Sequence, residues 1–210
     1  MENSFDRKAA SWDDNPRRKI LIEQVAQALE KKMVFHPADH LLEYGSGTGQ
    51  LGFLLLDKVG SLTFCDTSKE MLKQVDRKRE ESSAQNINLL LADFSIEKPP
   101  FAVYDKIVSM LVLHHVENIP ALLRNVHYAL KSGGIFCWID LDREDGSFHD
   151  HEPVPHRGFD RREIETYLSD VGFELLDYSR EISREKEING EIRQFPLFIQ
   201  LARKNREHKP

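Results

Sequence analysis

The sequence is short of several features that would assign it to a specialised class. It has only two cysteines among 210 residues, Cys65 and Cys137, and both lie in apolar runs typical of strands. This excludes a disulfide-rich scaffold and predicts buried free thiols in a reducing compartment. No apolar run approaches the roughly 20 residues of a membrane-spanning helix, and the charged start of the chain has no signal-peptide core. A cytoplasmic location without membrane contact is therefore expected.

An excess of positive charge is also missing. The 29 lysines and arginines are interspersed with 35 aspartates and glutamates, which gives a net charge of -6. Nucleic-acid surfaces need a concentrated basic face, so we expect no nucleic-acid partner. We separately expect a monomer or homodimer. With 40% hydrophobic residues, the chain can bury one substantial core, as a single α/β domain with modest additions does.

The most informative stretch is LLEYGSGTGQLGF, residues 41–53. A short apolar run is followed by Gly45, Gly47 and Gly49, and then by apolar residues at helical spacing. This pattern predicts a strand, a tight glycine turn and a helix. Glycine permits positive φ and lets a ligand approach the amides at the start of the helix. The expected ligand is a nucleotide or a nucleoside-like cofactor.

Two interpretations of this turn remain open. Gly47, Gly49 and Gly52 satisfy G-x-G-x-x-G, and Asp66 follows at roughly the 20-residue distance of a dinucleotide site, which would indicate an NAD(P)-dependent oxidoreductase. The alternative, E-x-G-x-G-x-G, begins at Glu43. It fits better because a carboxylate at Glu43 would repel a pyrophosphate but suit an ammonium group.

Two further strand ends carry suitable polar groups. Asp66 follows a predicted strand over residues 62–65, where a carboxylate can accept hydrogen bonds from both ribose hydroxyls. Capping of the next helix by Asp66, Thr67 or Ser68 is the alternative role. A third predicted strand, residues 87–91, leads to Asp93 and Phe94, which suit the amine and the flat face of an adenine.

Together these motifs resemble the class I S-adenosylmethionine-dependent methyltransferases. The resemblance rests on EYGSGTG at residues 43–49, Asp66 and ADF at residues 92–94, and it extends to about Lys204. It implies an α/β fold with a doubly wound seven-stranded sheet, order 3-2-1-4-5-7-6, and an N-terminal helical cap. It also implies a cap or lid with a helix over residues 1–36, a cofactor-binding domain over 37–204 and a frayed tail over 205–210.

The resemblance implies S-adenosylmethionine as the cofactor and assigns a set of residues to it. Those residues are Glu43, Tyr44, Gly45, Ser46, Gly47, Gly49, Asp66, Thr67, Met71, Asp93, Phe94, Ser109 and Met110. The nearest group is the ubiquinone- and menaquinone-biosynthesis type, methyltransferase types 11 and 25, which implies a small-molecule acceptor. Methylation of a protein or an RNA is the alternative.

His114 and His115 follow the predicted fourth strand and are the candidate general bases, because an imidazole titrates near neutral pH. Substrate contact is predicted for Trp12 in the N-terminal segment and for His149, His151 and His156 in the loop over residues 140–159. Metal binding by that loop is an alternative, but its spacings fit no standard finger, so no metal site is predicted.

The remaining pattern predicts the second half of the fold. A helix ends at KSGG, residues 131–134, with glycine as its C-cap, and a strand follows over residues 135–141. Asp160 is the expected N-cap of a later helix. A strand over 173–182, a turn at Asn189-Gly190 and a strand over 195–202 predict a final antiparallel hairpin.

Overall fold

The computed structural model describes residues 5–82, 84–149 and 153–205. The chain packs as two compact units, Met1–Asp93 and Phe94–Pro210. The tail predicted to fray lies, from residue 206 onward, outside the described residues. The predicted division at residues 36 and 37 remains a prediction.

In the first unit, helices and parallel strands alternate. A 3-10 helix, Asp6–Asp14, precedes α1 (Pro16–Lys32), β1 (His40–Tyr44), α2 (Gln50–Leu55), a 3-10 turn (Leu56–Lys58), β2 (Ser61–Asp66), α3 (Lys69–Ser82) and β3 (Ile87–Leu91). Strand β2 pairs in parallel with β1 and with β3. Strands β1 and β2 are buried along most of their length, as parallel strands covered on both faces are, whereas β3 at the edge of the sheet is only partly buried. Their buried core includes Leu41, Leu42, Leu62 and Phe64.

The second unit ends in an antiparallel hairpin. It contains β4 (Tyr104–Met110), a 3-10 turn (Leu113–His115), α4 (Ile119–Ala129), β5 (Leu130–Leu141), a 3-10 turn (Ser147–His149), α5 (Arg161–Val171), β6 (Phe173–Ile188) and β7 (Glu191–Lys204). Strands β4 and β5 are parallel, whereas β7 runs antiparallel to β5 and β6. Trp138, Phe159 and Phe198 are fully buried and contact one another edge to face, which forms the centre of this core.

The seven strands have the order β3-β2-β1-β4-β5-β7-β6. This confirms the predicted doubly wound sheet. The hairpin turn is confirmed as well, because Asn189 and Gly190 both have positive φ, 52° and 83°. Cys65 and Cys137 are buried free thiols, as predicted. Among the described residues, no helix combines the length and the apolar character that crossing a membrane requires.

Several boundaries differ from the prediction. Helix α4 ends at Ala129, and its C-cap is the extended residue Leu130 instead of a glycine. Strand β5 starts at that residue, so Gly133, with φ 78°, lies inside the strand and not at the end of the helix. Strand β6 continues to Ile188, beyond the predicted residue 182. Its charged second half forms ladder hydrogen bonds with β7, which the apolar pattern alone does not indicate.

Candidate active site

The glycine loop after β1 has the backbone that its sequence predicts. Gly45, Gly47 and Gly49 all have positive φ, 70°, 53° and 78°. The N–H groups of Gly45 and Ser46 donate to the carbonyl of Cys65 at 2.8 and 3.0 Å, which ties the loop to β2. Residues with a Cβ atom rarely adopt this conformation, so these three alternate positions favour glycine.

Packing behind the loop explains two of its glycines. A Cβ atom on Gly49 would lie 2.8 Å from the Phe64 ring, and one on Gly52 would lie 2.4 Å from the same ring. The Cβ atom on Gly52 would also approach Oε2 of Glu43 to 2.6 Å. Gly52 is therefore needed for close packing of α2 against the sheet. The third glycine of G-x-G-x-x-G has this same role, so the contact is compatible with both interpretations of the motif.

Glu43, in β1, is a buried acid directly behind the loop. Its Oε2 atom accepts a hydrogen bond from the Gly52 N–H at 3.0 Å. Burial raises the pKa of Glu43 to about 8, against the opposing effect of that hydrogen bond, and the charge of Asp66 adds to the rise. A cation placed beside Glu43 would favour the ionised carboxylate.

Asp66 joins the ends of two strands. Its Oδ2 atom accepts from the Gly47 N–H at 2.7 Å, and its Oδ1 atom accepts from the Ser68 N–H at 2.8 Å. Burial raises the pKa of Asp66, while the hydrogen bonds from Ser68 and Gly47 oppose that rise. Ser68 caps α3, because its hydroxyl accepts from the N–H of Met71 at 3.1 Å. The N–H of Thr67 is a third backbone donor to the Asp66 carboxylate, which leaves it fewer lone pairs for a ligand hydroxyl.

Tyr44 and Asp93 connect the loop to the end of β3. The Tyr44 hydroxyl donates to Oδ1 of Asp93 at 3.3 Å. The predicted cofactor residues of the first unit thus meet at the carboxyl ends of neighbouring strands. Phe94, Ser109 and Met110 belong to the second unit, where Phe94 and Ser109 are fully buried, and their contacts with a cofactor remain predictions.

The N-terminal 3-10 helix lies against the glycine loop. The Trp12 indole nitrogen is 3.4 Å from the position that a Cβ atom on Gly47 would occupy, and the Arg18 guanidinium stacks 3.9 Å from the Trp12 ring centroid. Phe5 packs edge to face on the same indole. The role of Trp12 as a substrate contact remains a prediction.

Two aspartates fasten this segment. Asp13 accepts from the Thr48 hydroxyl at 2.5 Å and pairs with Lys78 of α3 at 2.6 Å. Asp6 accepts from the Ser68 hydroxyl at 2.6 Å. The sequence indicates a cap over residues 1–36, but it does not indicate these polar contacts, because each joins residues more than 30 positions apart.

In the second unit, His114 forms a buried pair with Asp140. The Nδ1 atom of His114 lies 2.5 Å from Oδ1 of Asp140, and the backbone N–H of His114 donates to Oδ2 at 3.2 Å. His114 is 2% exposed and Asp140 is fully buried. Burial acts to raise the pKa of Asp140, but attraction and hydrogen bonding from His114 hold it below its ordinary value. The carboxylate orients the imidazole so that its Nε2 atom is available for chemistry.

His115 and His149 surround this pair. The ring centroid of His114 is 4.1 Å from that of His115 and 4.9 Å from that of His149, and the last two are 5.3 Å apart. One ring nitrogen from each residue lies within 4.8 Å of the others. The sequence separates His149 from the other two, so this cluster of His114, His115 and His149, called the histidine cluster below, is seen only in the structure.

His156, a second loop histidine, has other contacts. His156 hydrogen-bonds through Nε2 to the carbonyl of Val116 at 3.0 Å, and its ring packs 5.0 Å from that of Phe159. These contacts anchor the loop. His151, predicted to contact substrate, lies outside the described residues. Substrate contact by His149 and His156 remains a prediction.

Comparisons with known proteins agree with this architecture. The profile of the family described as "Methyltransferase domain" matches residues 42–136. The chain is 27% identical over 147 residues to "Probable polyketide synthase 27" from Dictyostelium discoideum, an alignment that covers 60% of this chain and 5% of the synthase. The chain therefore spans only a small part of the length of this curated relative.

Solved structures share the fold. A methyltransferase from Haloferax volcanii, in complex with the Trm112 methyltransferase activator, has a TM-score of 0.80 and 17% identity over 98% of this chain and 99% of its own. A SAM-dependent methyltransferase from Aquifex aeolicus has a TM-score of 0.69 and 20% identity over 94% and 97%. With its glycine loop, its sheet order and the profile match over residues 42–136, the chain is similar in sequence and fold to S-adenosylmethionine-dependent methyltransferases.

Proposed function

We propose that this protein transfers a methyl group from S-adenosylmethionine to a small-molecule acceptor. The buried His114–Asp140 pair carries the proposal, because it provides an oriented proton acceptor for a weakly acidic nucleophile. The net charge of -6 supports an acceptor other than a nucleic acid. The similarity to polyketide synthases, whose names denote small-molecule synthesis, supports it as well.

The first unit fits the cofactor. Positive-φ glycines let a ligand lie against the loop, and the buried Glu43 suits its ammonium group. We assign the ribose hydroxyls to Asp66 and the adenine amine to Asp93, with Tyr44 orienting that carboxylate. Ser46, Thr67 and Met71 would complete the lining of the proposed cofactor site. When bound, the cofactor supplies an electrophilic methyl group on a sulfonium and departs as a neutral thioether.

His114 and His115 are the residues proposed to remove a proton from the acceptor. Asp140 accepts from Nδ1–H of His114, so the lone pair on Nε2 of His114 can take the proton that the acceptor loses as its new bond to carbon forms. Asp140 stabilises the resulting imidazolium. His115, whose ring packs against His114, is the second candidate base. Typical general-base contributions of about 10²–10⁴-fold set the size of the expected effect.

The two cysteines bear on where in the cell the protein is proposed to act. Two buried free thiols support a cytoplasmic location, where thiols stay reduced. We propose that the protein acts as a monomer or homodimer without a nucleic-acid or membrane partner.

The decisive experiment uses purified protein, a metabolite extract and methyl-labelled S-adenosylmethionine, followed by mass spectrometry. A labelled small molecule is expected. With that acceptor in hand, His114→Asn and Asp140→Asn should lower turnover by at least 10²-fold with nearly unchanged cofactor affinity. His36→Ala, an exposed histidine in the first unit, is the control. Label in protein or RNA alone, or full turnover in both variants, would refute the proposal.

A further inference from the structure

The histidine cluster has the composition of a metal site. His114, His115 and His149 each bring one ring nitrogen to within 4.8 Å of the other two. Imidazole nitrogen is a favoured ligand of Zn²⁺, Co²⁺, Ni²⁺ and Cu²⁺. Three histidines with a fourth position left open are the ligand set of catalytic zinc sites.

Asp140 adds the feature that separates a metal site from a chance group of histidines. Metal-bound histidines usually donate their second ring N–H to a carboxylate, which fixes the tautomer and makes the ligand more basic. The Nδ1 atom of His114 lies 2.5 Å from Oδ1 of Asp140, so Nε2 is the atom left for a metal. The fully buried carboxylate also favours a positive charge nearby.

The backbone at both ends of the cluster is held in place. Phe148, next to His149, is buried. Its ring centroid lies 5.0 Å from that of Phe195 and 4.9 Å from the guanidinium carbon of Arg184. Glu144 accepts from the N–H groups of Gly146 and Phe148 at 2.7 and 3.1 Å. These contacts fix the 3-10 turn that carries His149, so the third ligand would not have to be ordered by the metal.

On the other side, the turn that carries His114 and His115 follows a strained residue. Leu111 has φ 56°, and its N–H donates to the carbonyl of Ile139 at 2.8 Å. The N–H of His115 donates to the carbonyl of Val112 at 2.9 Å. A left-handed leucine persists only where its surroundings impose it, and such residues concentrate at functional sites.

We infer that the histidine cluster binds one divalent transition-metal ion, of the zinc or cobalt class, with Asp140 as the partner of His114. Ligand nitrogens about 2.0–2.1 Å from a tetrahedral ion are about 3.4 Å apart, so the rings need only modest rotation to close on it. The open position would take an oxygen or nitrogen atom of the acceptor, a purpose that rests on the proposed function. In the metal-loaded protein Nε2 of His114 would bind the ion and could not accept a proton, so the general-base role proposed above belongs to the metal-free protein.

Binding can be tested without an acceptor. Tag-free protein is stripped with a chelator and titrated with Co²⁺, which is followed by its visible absorption, and with Zn²⁺, which is followed by calorimetry. One equivalent should bind, with the intense visible bands of four-coordinate cobalt. His149→Ala should weaken binding by at least 100-fold, and Asp140→Asn by about 10–100-fold.

Controls separate the site from general effects. His36→Ala should bind like the unaltered protein, and circular dichroism identifies any variant that fails to fold; His115→Gln then replaces it as the ligand variant. The metal site would be refuted if the unaltered protein showed no saturable binding. It would also be refuted if the His149→Ala and His115→Gln variants bound the metal as tightly as the unaltered protein. Because the readout is metal affinity, this result is independent of whether the labelled-methyl experiment finds an acceptor.

Discussion

The Asp66 carboxylate accepts a 2.7 Å hydrogen bond from the backbone N–H of Gly47. The bond links the glycine loop after β1 to the last residue of β2, so one side chain fixes the positions of two neighbouring strand ends. In the same structure the other carboxylate oxygen supports the start of α3 through Ser68. Asp66 therefore has a structural role already, and its proposed role toward ribose has to be separated from it.

We expect Asp66→Asn to weaken cofactor binding and stability together. The amide has one oxygen in place of two, so one buried N–H loses its acceptor. This should lower the free energy of unfolding by about 1–3 kcal/mol. Loss of the charge should reduce cofactor affinity by a further 1–3 kcal/mol, about 5- to 150-fold. Calorimetric titration and thermal unfolding measure the two effects. Asp39→Asn, an aspartate that caps a turn at His36, should reduce stability alone. Unchanged affinity in Asp66→Asn would remove Asp66 from the site.

Glu43 should make the stability of the ligand-free protein depend on pH. Its folded pKa, about 8, is above the ordinary glutamate value, so the folded protein holds a proton that the unfolded chain releases. The stability from this proton is complete below about pH 4.5 and is lost as pH rises toward 8, by on the order of 1 kcal/mol per pH unit. Glu43→Gln should therefore unfold at a higher temperature than the unaltered protein at pH 8, but not at pH 4.5. Glu23→Gln, on the exposed face of α1, should show no such trend.

The raised pKa of Glu43 also predicts that a proton is released when the cofactor binds. A cationic ligand beside Glu43 would return its pKa toward the ordinary value, so the carboxyl would lose its proton at pH 7. Binding enthalpies measured in buffers of different ionisation enthalpy should give nearly one proton released per cofactor. In Glu43→Gln the buffer dependence should disappear. Equal enthalpies in all buffers for the unaltered protein would show that the ligand does not approach Glu43.

The strands and the glycine loop could be predicted from the sequence because both depend on local patterns, whereas the sheet order was implied by the family resemblance. Buried parallel strands appear as apolar runs, and positive φ at Gly45 and Gly47 requires glycine. The predicted end of α4 was wrong for a related reason. A paired glycine resembles a helix cap, yet Gly133 takes its positive φ inside β5, where the register between Tyr104 and Lys106 of β4 shifts.

The histidine cluster could not be predicted, because it depends on tertiary structure. The sequence places His149 with His151 and His156, but the loop brings it against His114 instead. Asp140 is a buried residue near the end of β5. The surrounding sequence does not indicate that it pairs with His114, which lies 26 positions earlier. Contacts of this kind have no period and no local composition, and only the packed structure defines them.

Gly49 allows the cost of backbone strain to be separated from the cost of packing. Gly49→Ala places a Cβ atom 2.8 Å from the Phe64 ring at φ 78°, whereas Gly190→Ala meets nothing within 4 Å at φ 83°. Both variants should lose about 1–2 kcal/mol from the left-handed conformation. Only Gly49→Ala should lose a further 1–3 kcal/mol from overpacking, together with cofactor binding. Denaturant unfolding measures the difference, and equal losses would contradict the described packing of the loop.

The N-terminal 3-10 helix should open when its two acidic contacts are removed. Asp13 pairs with Thr48 and Lys78, and Asp6 accepts from Ser68, so the segment is bound to the two strand ends that are proposed to hold the cofactor. These partly exposed bonds are each expected to contribute about 1 kcal/mol. Asp6→Asn combined with Asp13→Asn should therefore raise the opened population about 10-fold or more.

Limited proteolysis with trypsin reports this opening, because the segment offers Arg7 and Lys8 as cleavage sites. In the double variant, cleavage there should accelerate about 10-fold, and the cofactor should dissociate faster if the segment covers it. Arg79→Ala is the matched control, because it breaks an ion pair with Asp76 in α3 and leaves the contacts of Asp6 and Asp13 in place. If cleavage is no faster in the double variant than in this control, the two aspartates do not hold the segment closed.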